Sequence, residues 1–210
     1  PVGRKPIITK FVEERDRVHV YSHIDSLIDQ GQQAYVVCPL IAESDKLGVK
    51  SVEAEFANLQ KTVFKHRRIG LVHGRLKADE KASIMNQFKQ GKLDMLVATS
   101  VIEVGVDVPN ATIMLIEGAD RFGLAALHQL RGRVGRGDKQ SHCYLFTYSD
   151  NPDTIKRLRA LEKTTDGFRL AQIDLETRGP GEIYGTAQHG LLDLRLADLF
   201  DYKLINEVKE

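Results

Sequence analysis

The sequence predicts an α/β protein: an open, mostly parallel β-sheet flanked by helices, followed by a C-terminal helical hairpin and loop. Three observations carry this. Short apolar runs rich in β-branched residues recur up to Thr147; they are continuous rather than alternating, which marks strands buried on both faces. Amphipathic helical patterns separate them, the alternation of a parallel sheet with crossover helices. After Thr147 no strand-like run appears, and charged helical patterns take over. Crossovers in such a sheet are right-handed. Its active loops collect at the carboxyl ends of the strands, and both loops singled out below are expected there.

The elements follow in order. Asp25–Gln30 completes a helix that Gly31 stops, ahead of a strand at Tyr35–Ile41. Val49–Lys65 reads as a longer helix, with Val52, Phe56, Leu59 and Val63 at three- and four-residue spacing. Ile69–His73 is the next strand. Asp79–Lys89 then places Ala82, Ile84, Met85 and Phe88 on one stripe, closed by Gly91. Met95–Thr99, Thr112–Glu117 and Cys143–Thr147 are further strands, and Asp107–Asn110 is the turn between the first two of these. Asp150–Lys163 and Phe168–Glu176 are the hairpin helices, and Arg178–Gly190 is too glycine-rich to read as anything but loop. A domain boundary is expected at residues 149 and 150, dividing the chain into 1–149 and 150–210.

Composition narrows the class. With 210 residues, 42% hydrophobic and 28% charged, the chain supports a sizeable core and is neither disordered nor collagen-like. No apolar run approaches the ~18 residues of a membrane span, and no signal peptide is expected from the opening residues. Pro1 at the start marks an expected fragment or processed product. Cys38 and Cys143 stand alone in apolar runs, as buried free thiols do, without metal or disulfide spacing. Net charge is +1, but Lys61–Lys92 carries nine basic residues against Asp79 and Glu80 and is therefore +7, leaving −6 elsewhere. That asymmetry reads either as a polyanion footprint or as a solvated helix face.

Two segments carry candidate chemistry. Gln129-Leu-Arg-Gly-Arg-Val-Gly-Arg-Gly137 presents Gln129, Arg133 and Arg136 from a short helix interrupted by Gly132 and Gly135. Glycine weakens a helix by about 1 kcal/mol, so close backbone approach is the expected reason for it. Two guanidinium forks at three-residue spacing suit a triphosphate whose transition state spreads negative charge; ordinary surface ion pairs are the plainer alternative. The second segment, Val97–Pro109, leaves a buried strand at Thr99 and Ser100 and returns as Val104, Val106 and Val108 alternating with Gly105 and Asp107. Asp107 suits a ribose hydroxyl, or is simply a turn residue before Pro109. His73 beside Gly74 is by default a hydrogen-bonded loop histidine. No phosphate loop, magnesium-binding acidic motif or nucleophile–base order is present, so the chain alone is not expected to hydrolyse ATP.

GVDVP followed by QLRGRVGRG resembles motifs V and VI of the second helicase superfamily. His73-Gly74 with the basic helix after it, and Tyr35–Pro39, resemble the preceding elements of the same domain. The tail Thr177-Arg-Gly-Pro-Gly-Glu-Ile-Tyr-Gly-Thr-Ala-Gln-His-Gly190 resembles the translocation motif shared by RecG and the transcription-repair coupling factor, and its RGPGE form is most similar to the RecG family.

The resemblance implies a second RecA-like motor domain of an ATP-dependent double-stranded DNA translocase that remodels branched DNA. It implies arginine-finger roles for Arg133 and Arg136 and nucleotide contacts for Gly105, Asp107 and Gln129. His73, Gly74, Arg75, Lys77 and Thr99 would meet nucleic acid, and Arg178 and Gln188 would couple nucleotide state to translocation. ATP and magnesium would be held mainly by a first RecA-like domain of the same polypeptide. No protein metal site and no membrane partner are expected, and a bacterial, nucleoid-associated cytoplasmic protein is. The rivals are the translocase module of a coupling factor and a non-catalytic nucleic-acid-binding module with a degenerate motor fold.

Overall fold

The computed structural model describes residues 5–39, 46–99 and 108–186. Strand β1 (Ile8–Val12) leads through a 3₁₀ turn into helix α1 (Arg17–Asp29) and then β2 (Gln33–Cys38). Next come α2 (Lys46–Lys61), β3 (Ile69–Val72), α3 (Ala78–Lys89) and β4 (Met95–Thr99). β5 (Ala111–Ile116), α4 (Leu124–Arg131), β6 (His142–Phe146), α5 (Pro152–Lys163) and α6 (Gly167–Thr186) complete the order. The strands lie side by side as β1-β6-β5-β2-β4-β3, and every pairing is parallel.

Period-two alternation sorts the strand residues between two cores. Ala34, Val36 and Cys38 join Met95, Val97, Ile113, Leu115, Tyr144 and Phe146 beneath α1 and α2. Tyr35 and Val37 join Leu96, Met114, Ile116, Cys143 and Leu145 beneath α3 to α6. Both faces are covered, which is why the strands read as unbroken apolar runs. Helix α1 contributes Tyr21, Ile24, Leu27 and Ile28, one stripe at helical spacing. Helix α5 is started by Asn151, whose side-chain oxygen accepts from Asp153 N at 2.9 Å, with Pro152 at the first helical position.

The sheet differs from the sequence expectation by one strand, β1. It is an edge strand, only partly buried before Val12, so Thr9 and Lys10 interrupt its apolar pattern. Its partner, β6, lies more than 130 residues away in the chain. Its exposed edge is blunted by α5: the backbone N–H of Phe11 donates to Glu162 Oε1 at 2.6 Å, and Arg159 lies over the Phe11 ring at 5.1 Å.

Helix ends also depart from expectation: α2 closes at Lys61 rather than Lys65, and two others differ more. Helix α4 stops at Arg131, with Gly132 as its cap and Gly135 at φ +79°, so Arg133 and Arg136 sit on a loop rather than on a helix. Helix α6 runs on to Thr186, through the Gly179-Pro180-Gly181 stretch expected to be loop. Leu170 and Ile173 anchor its first half in the core, and extending a nucleated helix is far easier than starting one. Residues 187–190 of the expected loop, Gln188 among them, lie outside the described residues, as do Gly105 and Asp107.

Candidate functional site

The two candidate segments do not share one edge of the sheet: the arginine loop sits at the amino edge, whereas the Val97–Pro109 segment has one end on each edge. The arginine loop rests on the amino edge. A Cβ on Gly135 would stand 3.1 Å from Ile7 Cγ1, just ahead of β1. A Cβ on Gly137 would stand 3.0 Å from the carbonyl oxygen of Pro109, just ahead of β5. Lys139 Nζ donates to Gln30 O at 3.1 Å, and Gln140 Nε2 donates to Pro6 O at 2.7 Å. Buried Val134 pins the loop between Arg133 and Arg136, whose side chains reach the surface. Gln129 is exposed on the last turn of α4. The expectation that this loop lies at the carboxyl ends of the strands is therefore overturned. Helix α4 descends antiparallel to the strands and delivers its C-terminal arginines to the opposite side. Thr99 closes β4 at the carboxyl edge and Val108 precedes β5 at the amino edge, so the two ends of the Val97–Pro109 segment stand on opposite edges.

At the carboxyl edge, His73 follows β3 and is buried. Its Nδ1 accepts from the Arg75 backbone N–H at 3.3 Å, and its Nε2 lies 3.7 Å from Glu53 Oε1 on α2. Gly74 O accepts from Lys81 Nζ at 3.1 Å, and the backbone N–H of Lys77 donates to Glu80 Oε2 at 3.0 Å, capping α3. Gly74, Arg75 and Lys77 are exposed. The Thr99 hydroxyl is buried and has no hydrogen-bond partner among the described residues. Two of the nine basic residues are neutralised within the fold: Arg67 pairs with Asp25 at 2.7 Å and Asp29 at 2.6 Å, and Arg68 pairs with Asp94 at 2.6 Å. These pairs hold the Asp25, Asp29 and Asp94 carboxyls against Arg67 and Arg68. They are fastenings, so the footprint is narrower than the raw charge suggests.

The hairpin grips both ends of α4, a relation the sequence does not display. Buried Arg157 of α5 donates to Phe122 O at 2.8 Å, Asp120 O at 2.8 Å and Asp174 Oδ1 at 3.2 Å. Asp174 of α6 accepts the Leu124 N–H at 3.0 Å, capping the N-terminus of α4. At the other end, buried Arg131 donates to Leu161 O at 2.8 Å and Thr164 O at 3.0 Å, the carbonyl end of α5. His128 lies 2.7 Å from Arg131 Nη2; burial, then the Arg131 charge, holds its pKa below the ordinary range. Arg178 falls in the last stretch of α6.

A second buried cluster lies where β5 and β6 end. Arg17 forks onto Glu117 at 3.0 and 3.2 Å, donates to Tyr21 Oη at 3.1 Å and stacks 4.3 Å from the Phe146 centroid. Burial works against the Arg17 charge, but Glu117 wins and raises its pKa above the ordinary value. Burial pushes the Glu117 carboxyl up to about 7, with Arg17 pulling it back only in part. Burial likewise raises Glu55, which faces the same guanidinium. A carboxyl whose pKa rises from its ordinary 4.5 on folding binds its proton more tightly when folded. Its contribution to stability is therefore complete below about 4.5 and lost as pH rises through about 7. Glu117→Gln is expected to lower stability near pH 8, where Arg17 loses an ionised counter-ion, and to flatten the dependence of melting temperature on pH across that window. Thermal melts of both proteins from pH 4.5 to 8 check this.

Among the described residues no three His, Cys, Asp or Glu side chains gather as a metal ion requires, and no helix is long and apolar enough to cross a membrane.

An all-parallel sheet thus carries a glycine-held arginine loop at one edge and a basic loop at the other. The chain belongs to the helicase conserved C-terminal domain family, which it matches over residues 18–138. Residues 164–210 match the C-terminal part of domain 3 of the ATP-dependent DNA helicase RecG, so the RecG-type resemblance is borne out and the coupling-factor alternative is not favoured.

The chain is 49% identical to the ATP-dependent DNA helicase RecG of Thermotoga maritima, covering 100% of this chain and 27% of that protein. It is 48% identical to RecG of a Synechocystis species, covering 96% of this chain and 24% of that protein. A structure of RecG bound to a three-way DNA junction superposes with a TM-score of 0.72 at 45% identity, over 97% of this chain and 26% of that one. Domain 2 of the DEAD-box helicase Mss116p shares the fold, with a TM-score of 0.58 at 22% identity over 75% of this chain and 61% of that one. The chain spans about a quarter of the length of the RecG relatives it matches.

Proposed function

We propose that the chain is the second motor lobe of an ATP-dependent double-stranded DNA translocase that remodels branched DNA such as stalled forks and recombination junctions. The observation that supports this most directly is the separation of its two loops. A motor must bind nucleotide and track at once, and Arg133 and Arg136 lie toward the amino edge of the sheet while Arg75 and Lys77 follow β3 at its carboxyl edge. Arg133 and Arg136 would reach the nucleotide phosphates, with Gly105, Asp107 and Gln129 beside them. An exposed guanidinium pair on a loop shaped by Gly135 and Gly137 fits an anionic ligand. ATP, when bound, supplies the phosphoryl group whose transfer drives the cycle. Magnesium and the phosphate loop would come from a first RecA-like lobe of the same polypeptide.

Gly74, Arg75, Lys77 and Thr99 would hold the DNA backbone, and these phosphate contacts would be independent of sequence. Residues 150–210 form the translocation unit in this reading, with Arg178 and Gln188 coupling it to the motor. A nucleoid-associated cytoplasmic protein follows from that role. The test uses the full-length polypeptide on a synthetic three-way junction. ATP-dependent unwinding is expected, and R75A/K77A is expected to weaken binding uniformly across sequences and to reduce the salt slope by roughly one per lost contact. An unchanged slope would return this loop to an ordinary solvated surface.

A further inference from the structure

His73 is buried, with 7% of its surface exposed, and both of its ring nitrogens face groups of the fold. Nδ1 accepts the Arg75 backbone N–H at 3.3 Å, so in this geometry the ring proton belongs on Nε2. Nε2 in turn faces Glu53 Oε1 of α2 at 3.7 Å. Several other backbone groups of this short loop are held as well. Leu76 N–H donates to His73 O at 3.2 Å, Lys81 Nζ to Gly74 O at 3.1 Å, and Lys77 N–H to Glu80 Oε2 at 3.0 Å. The side chains of Arg75 and Lys77 alone are left pointing outward from a loop otherwise tied down.

We propose that Glu53 and His73 are positioning residues: the carboxylate of Glu53 holds the imidazole as its Nε2–H tautomer, and the freed Nδ1 fixes the Arg75 backbone so that Arg75 and Lys77 meet a phosphate backbone in a preset conformation. The proposal rests on the reading that these two cations hold DNA, and it removes His73 from direct contact with it. Physically it is preorganisation. Gly74 makes the loop cheap to distort, and a loop ordered before binding loses less entropy on binding. The link from α2 through an imidazole to the loop also explains why a buried histidine lies between an exposed glycine and the end of an apolar strand.

The substitutions that test this differ in which nitrogen they imitate. His73→Asn keeps an acceptor near the Nδ1 position; His73→Gln keeps a donor near Nε2 but loses that acceptor. On a synthetic three-way junction, with the full-length protein, H73Q is expected to bind about five-fold more weakly, the equivalent of one lost hydrogen bond. H73N is expected to stay within about two-fold of the parent, and the salt slope should be unchanged in both, because no cation is lost. E53A should weaken binding while E53Q, still an acceptor, restores most of it. Nitrogen NMR of histidine-labelled protein should show His73 as the Nε2–H tautomer, and that readout does not depend on DNA at all. The Nδ1–H tautomer, or H73N binding no better than H73Q, overturns the proposal. Equal losses of binding and melting temperature in H73N and H73Q would also do so, as the mark of simple packing. An unchanged salt slope in R75A/K77A would instead sink the DNA-holding reading, and leaves the tautomer assignment standing or falling on the NMR.

Discussion

Arg136→Ala in the full-length protein is expected to lower ATP turnover by about three to five powers of ten, the usual effect of removing an arginine finger. Binding to branched DNA should stay within a few-fold of the parent. The size of the first effect follows from what a guanidinium does for a transferring phosphoryl group, where fixed positive charge meets charge that develops only in the transition state. The smallness of the second follows from the fold. The arginine loop rests on Ile7 and Pro109 at the amino edge, whereas Arg75 and Lys77 stand beyond β3 at the carboxyl edge. A strand of about five residues puts some 16 Å between the two edges. Folding should also survive, because the loop is shaped by Gly135, Gly137 and buried Val134. Turnover within a few-fold of the parent would make Arg136 a structural residue. Arg133→Ala should lose activity similarly, with some loss of stability added by its place next to the α4 cap.

The second large effect is on stability. Arg157→Ala removes a buried guanidinium that serves acceptors from two segments: Asp120 O and Phe122 O of the turn before α4, and the Asp174 carboxylate of α6. Deleting one partner of a buried charged network costs about 3–5 kcal/mol, because the groups left behind lose their counter-charge where little water can replace it. For a protein of this size that corresponds to a fall in melting temperature of roughly 10 °C. Arg157→Lys should recover only part of it, since one ammonium lacks the planar fork that reaches carbonyls and carboxylate together. Asp174 also caps Leu124, so the loss reaches the N-terminus of α4, and ATP turnover by the full-length protein should fall with stability. A melting temperature within a degree or two of the parent would show that apolar packing of Leu158, Leu161 and Leu170 holds the hairpin without the network.

Much of the fold was legible because its strands are buried on both faces. Tyr35–Cys38, Met95–Thr99 and Cys143–Phe146 are continuous apolar runs for that reason, and the helices between them carry one-sided stripes. Strand β1 was not legible: half-exposed on an edge, it has neither signature, and only pairing with β6 makes it a strand. The end of α6 ran against local propensity, since Gly179, Pro180 and Gly181 all disfavour a helix that packing further back has already started.

Residue chemistry was set locally, and with it the three segments worth testing: a guanidinium pair among glycines, a basic helix after His73-Gly74, an acid and a glycine before Pro109. Neighbourhood was not. That the arginine loop and the basic loop face opposite ways depends on the direction in which α4 returns across the sheet. That Arg67 and Arg68 are occupied by Asp25, Asp29 and Asp94 depends on contacts 26 to 42 residues apart. That Glu53 meets His73, and Arg157 meets Asp174, depends on which helices lie over which strand ends. Spacing along a chain carries the period of a helix or a strand, but a contact between elements is decided only when both have been buried against the same sheet.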